Sequence, residues 1–153
     1  MRGALDWAAE FGVTTNKKYP FLAYNRGSCF WDPVMNSFWF RKAEIKYSLP
    51  EDQIINLLRE RVLLAEITIG PMFKAYRGGI YGTSTKELND CKNGETFSVA
   101  IVGCYTNSNG YSYYRIRNAW GQNWGYVGHM KLIYGQNACG IRTTTAYPVP
   151  NSH

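Results

Sequence analysis

From Val62 onward the apolar residues recur at strand-length intervals, and a period near two commits the second half of this chain to a sheet. Strands are predicted near 62–69, 97–104, 111–118, 127–134 and 141–147. Asn107-Ser108-Asn109-Gly110 supplies a hairpin turn of the type that needs positive φ. The first half reads differently. Ala4, Trp7, Ala8 and Phe11 share one helical face, and Gly12 follows as a stop. Residues 13–40 form a long irregular stretch rich in Asn, Gly, Pro and aromatics, of a length that tends to be functional or pinned down. Ala43, Ile45 and Tyr47 alternate as a half-buried strand. Ser48-Leu49-Pro50-Glu51-Asp52 then opens an amphipathic helix to about Arg61, with Ser48 or a neighbour as cap and Pro50 in the first turn. The expectation is one α+β domain.

Composition agrees with a folded chain. Of 153 residues, 45% are hydrophobic, 18% charged and 16% aromatic, the aromatics suiting packing between strands. The net charge of +6 is spread over short pairs: Lys17-Lys18, Arg41-Lys42, Arg59 with Arg61, Arg115 with Arg117. That scatter reads as a solvated basic surface and lacks the dense clustering of a nucleic-acid module. No stretch has the roughly 20 apolar residues of a membrane span, and Met1-Arg2-Gly3-Ala4-Leu5-Asp6 has no apolar secretory core. Cys29, Cys91, Cys104 and Cys139 show no C-x-x-C or Cys/His spacing, and the histidines are His129 and His153. No metal site and no cofactor is expected, and four cysteines leave three pairings open.

The C-terminal half carries motifs too specific for composition. Asn118-Ala119-Trp120-Gly121-Gln122-Asn123-Trp124-Gly125 resembles the Asn-Ser-Trp-Gly-x-x-Trp-Gly motif of the papain-like cysteine proteases, the cathepsin-like C1 peptidases. Gly128-His129-Met130-Lys131-Leu132 is similar to that family's Gly-Tyr strand, with His129 at the tyrosine. Asn137-Ala138-Cys139-Gly140-Ile141 is similar to its Asn-x-Cys-Gly-Ile, and Ala146-Tyr147-Pro148 to its closing Tyr-Pro. Upstream, Phe73-Lys74-Ala75-Tyr76-Arg77-Gly78-Gly79-Ile80-Tyr81 resembles Phe-x-x-Tyr-x-x-Gly-Ile-Tyr, and Tyr19-Pro20-Phe21 resembles Tyr-Pro-Tyr, with Cys29 a short way on. The resemblance implies the C-terminal part of a papain-like fold. Residues 1–40 would be a remnant of the helical left domain, and residues 41–153 the β-barrel-like right domain.

A cysteine protease needs a thiolate, an imidazole to activate it, a group that orients the imidazole and an oxyanion donor. The resemblance places the orienting residue at Asn118, shielded by Trp120 in the turn that holds Gly121, Trp124 and Gly125. The family histidine opens a strand of the form His-Ala-Val-x-x-Val-Gly-Tyr, which here reads Phe97-Ser98-Val99-Ala100-Ile101-Val102-Gly103-Cys104. Phe97 cannot accept a proton. The family's cysteine and glutamine lie upstream of the segment matched by residues 3–12, so Asn118 is expected to be vestigial and satisfied by backbone groups. Neither His129 nor the terminal His153 is expected to act as base.

The resemblance also implies a Cys91–Cys139 disulfide, which would stabilise by roughly 4 kcal/mol in the chain-entropy model. It leaves Cys29 without its family partner and makes Cys104 a small buried thiol. The expected function is that of an inactive pseudoprotease serving as a protein-binding or structural subunit. Its partner would cover the missing left-domain face, and an acidic surface would suit the positive charge. The alternatives are one chain of a two-chain cysteine peptidase and a non-cleaving peptide-binding module. The resemblance suggests a lysosomal or secreted setting.

Overall fold

A computed structural model describes residues 1–22, 24–25, 27–35 and 38–151, so His153 lies outside the described residues. The chain divides into two compact units: residues 1–44 with the C-terminal segment from Pro148, and Ile45–Tyr147.

The first unit opens with α1 (Arg2–Phe11), which stops at Gly12, where φ is +76°. Leu5 is its buried side chain. The rest of its apolar stripe works through aromatic rings: Trp7, Phe11 and Trp31 pack with centroids 5.3–5.6 Å apart. The following irregular stretch is pinned at chosen points. Val13 and Phe38 exchange backbone hydrogen bonds as an isolated bridge, and Thr14 Oγ1 donates to the Met35 carbonyl.

The second unit is built on the sheet. With β1 (Lys42–Tyr47), β2 (Leu63–Ile69), β3 (Ile80–Tyr81), β4 (Glu95–Thr106), β5 (Ser112–Arg117), β6 (His129–Ile133) and β7 (Thr144–Val149), the strand order is β1-β7-β2-β4-β5-β6-β3. β2, β4, β5 and β6 form an antiparallel series, whereas β3 lies parallel to β6. Register decides which side chains meet. Leu63 faces Ile101, Ala65 faces Val99 and Ile67 faces Phe97; Ile101 then faces Ile116, and Ile116 faces Met130. Leu63, Ala65, Ile101 and Ile116 are completely buried. This shared face is the core, and the alternation of apolar residues in each strand produces it.

Three elements differ from the sequence expectation. The second helix, α2, spans Glu51–Leu58, and Ser48 does not cap it. Ser48 has φ +52° because its N–H and that of Leu49 donate to the carbonyls of Thr143 and Arg142. The buried Glu51 carboxylate instead accepts from the backbone N–H groups of Gly135 and Asn137. The last strand starts at Thr144, after a turn in which Asn137 and Cys139 are both left-handed. Tyr47, expected to be half-buried, is 66% exposed.

Two short helices were not anticipated. In α4 (Thr85–Asp90), Ser84 and Glu87 form a capping box. The Asp90 carboxylate then binds the start of α3 (Pro71–Lys74), accepting from Met72 N (3.1 Å), Phe73 N (3.0 Å) and the Tyr81 hydroxyl (2.7 Å). Burial alone would raise the Asp90 pKa. The hydroxyl and the two N–H donors outweigh it and hold the carboxyl below its usual range. A depressed carboxylate stabilises the fold above its unfolded pKa, and that contribution is lost as pH falls through the folded one. Asp90→Asn should therefore lose about 1–3 kcal/mol at neutral pH. In urea melts, its deficit relative to wild type should shrink below about pH 4.

Candidate functional site

Phe97 and Asn118 project from the same face of neighbouring strands. Phe97 sits opposite Ile67, inside the row that continues through Val99 and Ile101. Asn118 follows directly on β5, continuing the buried row of Tyr114 and Ile116. The space beside Phe97 is filled by Trp120, the ring centroids lying 4.8 Å apart. Two apolar rings in contact have no proton to exchange.

Asn118 is 7% exposed. Its backbone N–H donates to the Gly128 carbonyl at 2.9 Å, and its Oδ1 accepts from the Ala119 N–H at 2.6 Å. That second bond fixes the amide orientation, because a flipped amide would set two donors against each other. Nδ2 is left buried without a partner among the described residues. The expectation that backbone groups satisfy Asn118 is thus met for the oxygen and not for the nitrogen. A buried unpaired amide is costly.

The two tryptophans belong to one aromatic cluster. Phe73, fully buried, stacks on Trp124 (5.5 Å) and meets Tyr81 (5.7 Å) and Trp120 (6.1 Å) edge-on. Trp124 also packs on Tyr76, and its indole N–H donates to the Lys74 carbonyl at 3.0 Å. The turn between them depends on glycine. A Cβ on Gly125, where φ is +58°, would lie 2.4 Å from the His129 carbonyl oxygen, whereas one on Gly121, where φ is +81°, would meet open space.

His129 faces away from this cluster. It pairs with Arg117, so alternation puts it on the sheet face opposite Asn118, and its Nδ1–H donates to the Val127 carbonyl at 2.9 Å. Cys104 pairs with Tyr114 and is half-buried. Burial raises its thiol pKa, a backbone hydrogen bond from Tyr105 partly opposing this, so it favours the unreactive thiol. Cys29 is exposed and free, its Sγ 4.0 Å from the Tyr19 hydroxyl. Cys91, at the end of α4, is joined by a disulfide to Cys139. Among the described residues no cluster of His, Cys, Asp and Glu could hold a metal ion, and no helix is long and apolar enough to cross a membrane.

Comparison with known proteins identifies the family. The family described as "Papain family cysteine protease" matches residues 1–149. This chain belongs to the papain family. It is similar to fruit bromelain of Ananas comosus, 27% identical over 145 residues that cover 92% of this chain and 39% of that protein. It is similar also to the oryzain gamma chain of Oryza sativa subsp. japonica, 31% identical with 90% and 37% covered. The chain therefore spans about two fifths of these relatives' length. Among solved structures, a recombinant stem bromelain precursor aligns with TM-score 0.85 at 22% identity, covering 99% of this chain and 49% of that one. Procathepsin L 3 of Tenebrio molitor larval midgut aligns with TM-score 0.85 at 23% identity, covering 97% and 48%. The papain-like fold, seen here mainly as its right domain, follows.

Sequence reading missed the Asp90 anchor and the basic face opposite the cluster. Ser84-x-x-Glu87 was legible as a capping signal, but the Asp90 contacts join residues that no local pattern links. For the Trp-Gly turn the geometry makes a graded prediction. Gly121→Ala should cost about 1–2 kcal/mol, the strain of a left-handed alanine. Gly125→Ala adds a backbone collision and should cost clearly more, both read from denaturant midpoints at unchanged slope.

Proposed function

We propose that this papain-family chain acts by binding protein and does not cut peptide bonds. The observation that carries the reading is Phe97, packed against Trp120 at the strand position where the family places its histidine. The imidazole of His129 lies on the opposite sheet face, bonded to a carbonyl, so among the described residues a covalent mechanism lacks its base. In this reading Asn118 is vestigial, and Trp120, Gly121, Trp124 and Gly125 survive as structure. Residues 1–40 are then a left-domain remnant and 41–153 the right domain.

A binding role is supported by what the first unit exposes. Phe21, Tyr24, Phe30, Val34, Phe38 and Trp39 are each more than half exposed. Aromatic exposure on that scale marks an interaction surface. The partner is protein, either more of the same polypeptide or a separate chain, packed on these side chains. Papain-family relatives are cysteine proteases, so the competing reading is a peptidase whose remaining groups come from elsewhere.

The test is hydrolysis of fluorogenic peptides by the purified chain and by its Phe97→His variant, from pH 5 to 8. Neither should show turnover above buffer, because an imidazole alone restores only one member of the catalytic set. Turnover by either protein that a thiol alkylator abolishes would contradict the reading.

A further inference from the structure

The face of the sheet opposite the aromatic cluster carries four basic side chains in a block. Arg115 pairs directly with Lys131 across β5 and β6, and Arg117 pairs with His129 in the next register position on the same face. The like charges of Arg115 and Lys131, opposed in this way, destabilise a sheet. Among the described residues that line the adjoining cleft of about 400 Å³, Arg115, His129 and Lys131 included, none is Asp or Glu. The Lys131 ammonium rests over the Tyr113 ring at 5.0 Å, a contact that orients it without neutralising it. Tyr105 stacks beside Tyr113 at 6.0 Å, its ring lying over Gly103, where a side chain would collide with it. Tyr126, 72% exposed, and Tyr76 complete the aromatic walls.

We propose that this face is a docking site for an extended acidic peptide segment whose carboxylates stand two residues apart. The proposal is independent of whether the chain cuts peptide bonds, since its basic side chains lie on the sheet face opposite Phe97 and Asn118. Spacing selects the occupant. Successive same-face pairs along a strand lie about 6.8 Å apart, and the i, i+2 carboxylates of an extended peptide repeat at that same distance. One carboxylate meets the Arg115/Lys131 pair while the next meets Arg117/His129, and the tyrosines contact the residues between. Arg115 offers a planar fork suited to a carboxylate.

The experiment is fluorescence anisotropy with the full chain and a fluorescein-labelled peptide of alternating Glu and Thr, against a Gln-Thr control. The Glu peptide should bind at least tenfold more tightly than the control, and more weakly as salt rises. Arg115→Glu and Lys131→Glu should each weaken binding at least tenfold, with a melting temperature equal to or above wild type, because each replaces a like-charge pair by an opposite one. Lys17→Glu with Lys18→Glu, remote in the chain, should change affinity less than twofold. Equal loss in that control would show that net charge alone acts, and would overturn the proposal. So would tighter binding of a single-stranded oligonucleotide or a sulfated oligosaccharide. A fall in melting temperature in both charge reversals would make the block structural and would overturn it as well.

Discussion

Phe73 is the contact on which the candidate site depends. Its ring touches Trp124, Tyr81 and Trp120, and through Trp120 the packing reaches Phe97. α3 presents it, and Asp90 fixes α3 by accepting its first free N–H groups. A fully buried aromatic with three aromatic neighbours is worth several kcal/mol, combining apolar burial of about 1.5–3 kcal/mol with ring geometry. The Trp-Gly turn thus has a structural reason to persist whatever the chemistry beside it. Phe97 extends the same packing, and in the proposed reading it does so at the position of the family's histidine.

Much of this was legible in the sequence, for identifiable reasons. Strands with a clean period of two, such as Leu63–Ile69 and Ser112–Arg117, were located to within a residue or two because one face is buried and the other is not. The Trp-Gly turn was legible because few sequences place two tryptophans and two glycines at that spacing. What escaped was non-local. Ser48 looks like a cap until residues 142 and 143 take its backbone and Glu51 turns to Gly135 and Asn137. Arg115 and Arg117 read as a scattered pair because Lys131 and His129, which complete the block, come from another strand. Asn118 was half legible: its acceptor is used locally, and its buried Nδ2 is visible only in three dimensions.

A fold shared with proteases does not by itself confer proteolysis, since function resides in the site. In the proposed reading the family's packing motifs persist while Phe97 takes the place of the base; Cys104 favours the thiol and His129 donates to a carbonyl on the other face. The two proposed binding surfaces are the exposed aromatics of residues 21–39 and the basic block of β5 and β6. They differ in chemistry, one apolar and one cationic, which suits binding of more than one kind.

The central claim, that the chain works by holding protein, is tested most directly by the native mass of the protein purified gently from its source, with every polypeptide in the particle identified by mass spectrometry. The account predicts a particle larger than the 17.5 kDa chain, the added mass being more of the same polypeptide or a second polypeptide in fixed proportion. A monomeric particle of 17.5 kDa, folded and stable by itself, would contradict it.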